Sequence, residues 1–102
     1  MPSSIVIRGT VLRIYGSSHE PIWVTVESDQ PRYVHVLPCD EGGNFERLVP
    51  AGRSYFVTAH SYESLDREGW VRHRIGRAEV AGEADAQLHI FLTDQEEFED
   101  RT

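Results

Sequence analysis

An all-β domain, a seven-stranded antiparallel Greek-key sandwich with one short helix, is the fold this sequence predicts. Three observations carry the prediction. Seven short runs alternate β-branched or aromatic residues with polar ones at period two. Segments rich in Gly, Pro, Asp and Asn separate the runs at the spacing of a sandwich. No stretch carries a sustained helical stripe.

The elements follow in order. "SIVIRGTVLRIY" (4–15) reads as β1, with Ile7, Gly9 and Val11 on one face. "GSSHEP" (16–21) is a turn by composition, and "PIWVTVES" (21–28) reads as β2 with Ile22, Val24 and Val26 inward. "RYVHVLP" (32–38) reads as β3 and is expected to place Val34 and Val36 in the core. "DEGGN" (40–44) is a turn whose glycines permit positive φ. "NFERLV" (44–49) is a short β4, and "PAG" (50–52) is expected to make a tight hairpin turn into β5. "RSYFVTAHSY" (53–62) is β5, with Tyr55, Val57 and Ala59 inward.

In "SYESLDREG" (61–69), Ser64 can cap a short helical turn that runs through Arg67 and Glu68 and ends at Gly69. "WVRHRIGRAEV" (70–80) is β6, with a bulge expected at Gly76. If that bulge comes early, His73 exchanges faces with Trp70 and Arg72. After "AGEAD" (81–85), "AQLHIFLT" (86–93) is β7 with Leu88, Ile90 and Leu92 inward. The domain is therefore expected over residues 4–93, followed by an acidic tail over 94–102.

Composition narrows the function classes. A chain of 102 residues and 11.6 kDa has room for one domain with a core of its own. The formal charge of −7 argues against a nucleic-acid backbone as partner, because counterion release needs clustered cations. The tail "TDQEEFEDRT" carries five of the carboxylates against one Arg, a pattern expected to be solvated and disordered. No apolar run approaches a membrane span, and "MPSSIVIRGT" lacks a signal-peptide pattern. With Met1 as the natural start a cytoplasmic protein is expected; a trimmed start would look the same and leave an extracytoplasmic location open.

Chemistry finds little purchase. All ten basic residues are Arg, which removes lysine Schiff bases, lysine general bases and Lys–Asn cross-links. Cys39 is the only cysteine, so no internal disulfide forms, and it reads as a half-buried small apolar residue. His19, His35, His60, His73 and His89 form no metal-ligand spacing and read as ordinary strand and surface histidines. Asp40 and Glu41 sit in a turn, where Asx-type hydrogen bonding accounts for the Asp. No nucleophile elbow or phosphate loop is present. The expectation is a non-enzyme with no cofactor and no metal.

"GTV" in β1, "EPIWVTV" in β2 and "DEGGNFERLVPAGRSYFVTA" together resemble the carboxypeptidase regulatory-like domains. The helix expected between β5 and β6 resembles the wider transthyretin-like (prealbumin-like) fold. The resemblance covers about residues 5–60 and implies a sandwich in which Phe45 plugs one end. One enzymatic branch of the transthyretin-like group, the hydroxyisourate hydrolases, would require a His in the first strand and a Tyr-Arg-Gly-Ser terminus. This chain has neither, which leaves such an enzyme a remote alternative.

If β2, β3, β5 and β6 share a sheet, as the resemblance implies, the inward assignments define an outer face. That face would show Trp23, Thr25, Tyr33, His35, Phe56, Thr58, His60, Trp70, Arg72 and Arg74. Water-facing sheet faces are normally polar, whereas aromatics with Arg are what interface cores enrich. Trp23, Tyr33, Phe56, His60, Trp70, Arg72 and Arg74 are therefore the candidate partner-binding residues. The expected function is an interaction module or small accessory subunit, taking a protein partner or a second copy through this face. A carbohydrate-binding module stacking sugars on Trp23, Phe56 or Trp70 is the alternative.

Overall fold

The computed structural model describes residues 3–13, 21–29, 32–64 and 70–98, with side chains described within 3–12, 21–29, 32–62 and 73–93. The seven strands are β1 (Ser4–Arg13), β2 (Trp23–Asp29), β3 (Arg32–Pro38), β4 (Asn44–Pro50), β5 (Tyr55–Ser64), β6 (Trp70–Val80) and β7 (Ala86–Phe98). They form one sheet in the order β3-β2-β5-β6-β7-β1-β4. All neighbouring pairs are antiparallel except β1 with β7, which run parallel. The sheet is therefore mixed, where the alternation pattern suggested a purely antiparallel one.

The connections force the sheet to curl. β3 and β4 lie at opposite edges, yet only residues 39–43 join them. Six strand spacings of about 4.8 Å put the edges of a flat sheet roughly 29 Å apart. The connection reaches at most about 21 Å even when fully extended. The sheet bends accordingly until it is nearly barrel-shaped, and both halves pack their inner faces into one core. β1, β4 and β7 contribute Ile5, Ile7, Val11, Phe45, Val49, Ile90 and Leu92. β2, β5 and β6 contribute Val24, Val26, Tyr55, Val57, Ala59 and Val80, all buried. Each large side chain taken fully out of water stabilises the fold by about 1.5–3 kcal/mol.

β7 joins the two halves by changing neighbours. Ala86–Leu92 pair with β1, whereas Thr93–Phe98 pair with β6. Gly76 stands beside this switch, and a Cβ there would lie 2.3 Å from the carbonyl oxygen of Phe91. The β5–β6 ladder shows no bulge at Gly76, since it runs unbroken from Tyr55 opposite Val80 to Ser64 opposite Val71. Gly76 serves close approach of β7 instead.

Other expectations also need correction. Val34 and Val36 point outward, because Val24 and Val26, which face the core, sit opposite Leu37 and His35. "PAG" does not close a hairpin: β4 pairs with β1, and β5 with β2 and β6. Gly52 nevertheless has the expected positive φ, 87°, and its N–H donates to the Gly82 carbonyl at 3.0 Å. Ser64 ends a strand rather than capping a helix, and no helix occurs among the described residues; 65–69, where the helix was expected, lie outside them. The acidic segment is not detached from the sheet, because residues 94–98 continue β7.

Candidate interaction face

Cross-strand partners share a face of a sheet, so the register identifies the outer surface of β3, β2, β5 and β6. Trp23 lies beside His60, Thr25 between Val36 and Thr58, and Glu27 between Val34 and Phe56. Tyr62 lies opposite His73 and His60 opposite Ile75. Five of the large exposed apolar side chains stand here: Trp23 is 43% exposed, Phe56 45%, Val34 50%, Tyr62 51% and Val36 53%. Apolar side chains contiguous on an open sheet face mark an interaction surface far more often than scattered ones do.

Rings order one end of this face. Tyr62 and His73 are stacked, with centroids 4.3 Å apart and planes 10° from parallel. His60 stands 6.2 Å from Tyr62 and 6.3 Å from His73, and its Nε2 hydrogen-bonds with Thr25 Oγ1 at 3.2 Å. Desolvation lowers the His60 pKa below its ordinary value, and the neighbouring His73 lowers it further. The neutral form of the His60 imidazole is thus favoured.

The structure brings three of the sequence-predicted residues together here: Trp23, Phe56 and His60. Two others are elsewhere. Tyr33 is half-buried on the inner side, edge-on to Tyr55 with centroids 5.9 Å apart. Arg74 is buried and sits opposite the buried Ser61. His35 likewise belongs to the inner side, opposite Val26. Trp70 and Arg72 lie in β6 beyond the described side chains; in register Trp70 pairs with Phe98, and Arg72 with Glu63 and Glu96.

Val34, Val36 and Tyr62 are the members that sequence reasoning missed, while His73 faces outward in the alternative phase of β6, reached without the early bulge that was expected to produce it. Tyr62 was recoverable, since it extends the outward series Phe56, Thr58, His60 by one step.

A concavity of about 310 Å³ lies at the β1–β4 end between Arg8, Thr10, Asp40, Asn44 and Glu46. Arg8, Thr10, Asp40, Asn44 and Glu46 are bonded among themselves. Arg8 Nη2 bonds Glu46 Oε1 at 2.5 Å, and Thr10 Oγ1 bonds Asn44 Oδ1 at 2.8 Å. Asp40 Oδ1 accepts the N–H groups of Gly42 and Asn44 at 2.9 and 2.8 Å, which lowers the carboxyl pKa. Among the described residues, no group of three or more His, Cys, Asp or Glu side chains could hold a metal ion. Compared with family models, curated proteins and solved structures, the chain matches none.

Proposed function

We propose that this chain is a non-enzymatic interaction module or small accessory subunit. It takes a protein partner, or another copy of itself, through the outer face of β3, β2, β5 and β6. One observation carries the reading: Trp23, Val34, Val36, Phe56 and Tyr62 share a single open sheet face. Trp and Tyr are the residue types that interface hot spots favour, and a face lying against water alone would normally be polar. On the same reading the domain is a sandwich of the carboxypeptidase regulatory-like, transthyretin-like type. The contiguity of β2, β3, β5 and β6 supports this, as do Gly9 against Phe45 and Tyr55 following Gly52.

The test is affinity capture from the source cell with wild type and with a Trp23→Ser/Phe56→Ser variant, alongside light scattering of each. A partner or self-association lost in the variant, with the fold retained, supports the reading. Identical behaviour of the two proteins overturns it. Carbohydrate binding is a second reading because Trp23 and Phe56 flank the polar Thr25–Thr58 pair on one face. They stand four residues apart along β2 and its neighbour, roughly 13 Å. Glycan-array binding that depends on both rings would favour it.

A further inference from the structure

The open edge of β3 carries an inference beyond the face itself. β3 is the first strand in the sheet order and, among the described residues, pairs only with β2. The N–H of Cys39 donates to the Ile22 carbonyl at 2.9 Å, which sets the alternation of the whole β2–β3 ladder. In an antiparallel pair every second residue bonds to its partner and the others turn their backbone groups the opposite way. Leu37, His35 and Tyr33 therefore bond with β2. Arg32, Val34, Val36 and Pro38 direct their backbone groups out of the sheet.

We propose that this edge pairs antiparallel with the same edge of a second copy, about a two-fold axis at His35. The segment is self-complementary about that residue. Val34 of each copy meets Val36 of the other, each N–H donating to the opposite carbonyl, and Arg32 N–H donates to the Pro38 carbonyl. Pro38 has no N–H to offer in return and ends the ladder.

Charge selects this orientation. The edge begins at exposed Arg32 and is followed by exposed Asp40 and Glu41. Antiparallel pairing brings the Arg32 of one copy toward the acidic pair of the other, whereas parallel pairing would stack like charges. Natural sheets blunt their edges with charged side chains and Pro; here Arg32 and Pro38 do so only at the two ends of β3, and residues 33–37 contain no Pro, Lys, Arg, Asp or Glu. An isologous contact of this kind closes on itself and stops at the dimer.

Joined edges also bring the Val34–Val36 strips of both copies side by side. The proposal rests in part on the face reading above, since the dimer would present that face twice, as one continuous platform. Trp23 and Phe56 stand one and two strands back from the seam and do not contribute to it.

The experiment uses the full chain. Light scattering with a dilution series gives the oligomeric state, and amide hydrogen exchange is followed at Val34 and Val36. A dimer is expected whose Val34 and Val36 amides exchange at least tenfold more slowly than after dilution to monomer. Val36→Pro removes one edge donor and leaves the β2 bonds in place, so it should give a monomer with unchanged circular dichroism. A monomeric wild type at high concentration overturns the proposal, as does a dimer whose two amides exchange freely. If Val36→Pro fails to fold, the amide measurement decides alone. A dimer lost in Trp23→Ser/Phe56→Ser but kept in Val36→Pro overturns the edge while leaving the face reading standing.

Discussion

Gly9 and Phe45 face each other across the β1–β4 ladder, and the Phe45 ring occupies the space a side chain at residue 9 would need. A Cβ on Gly9 would lie 2.7 Å from Cε1 and Cζ of that ring and 3.0 Å from the Leu88 carbonyl oxygen. Phe45 is buried as a result, at the end of the core nearest the β3–β4 connection. The glycine of "GTV" and the phenylalanine of "NFERLV" are thus two halves of one packing feature.

Gly9→Ala should accordingly destabilise the domain by about 1–3 kcal/mol through overpacking. Much of that loss should disappear in a Phe45→Leu background, because residues in contact couple. Urea denaturation of the four proteins measures it, and strictly additive losses would count against the contact.

The two glycines of the Gly52–Gly82 hydrogen bond should differ in tolerance. Both have positive φ, 87° and 83°, which costs an L-residue roughly 1–2 kcal/mol. Around Gly52 the space is open, whereas a Cβ on Gly82 would lie 1.7 Å from the Arg53 carbonyl oxygen. Gly52→Ala should lower stability by about that strain alone, and Gly52→Val by about 1–3 kcal/mol. Gly82→Ala should be distinctly worse, and a melting series showing the reverse rank would refute the account.

Truncation of residues 94–102 should now cost stability. As a solvated, disordered tail the segment could be removed without loss of stability. Its first five residues instead complete the β6 ladder, Asp94 opposite Arg74 and Glu96 opposite Arg72. Losing those backbone pairs should destabilise on the order of 1–3 kcal/mol. An unchanged melting temperature after truncation would show that the ladder contributes nothing.

Acidification should weaken the fold through His60. Its folded-state pKa lies below the ordinary value of 6.5, so the unfolded chain binds more protons in the window between the two. The stability involved is present above pH 6.5 and is lost as pH falls toward the folded pKa. A melting profile from pH 7.5 to 5 should decline, and His60→Gln should flatten that decline. Equal slopes in the two proteins would assign the effect to other groups.

Much of the fold was legible from the chain alone. Period-two alternation located all seven strands, and the inward sets of β1, β2, β5 and β7 emerged in the right phase. In those strands the apolar series and the polar series differ sharply, as with Ile22, Val24 and Val26 against Thr25 and Glu27. β3 was misread because both of its series can be buried. Val34 and Val36 alternate with Tyr33, His35 and Leu37, and nothing local chooses between them. For the site, the same clarity made Trp23, Phe56 and His60 readable as outward, and the same ambiguity hid Val34 and Val36.

What only the tertiary structure decided is non-local. Whether Gly76 bulges or admits a neighbour depends on β7, whose carbonyl at Phe91 takes up the space. The parallel pairing of β1 with β7 and the curl of the sheet follow from which strands become neighbours. A short β3–β4 connection between opposite edges has that consequence only once the strand order exists. Alternation along one strand records two faces but not which neighbour covers either; burial settles that when the strands meet.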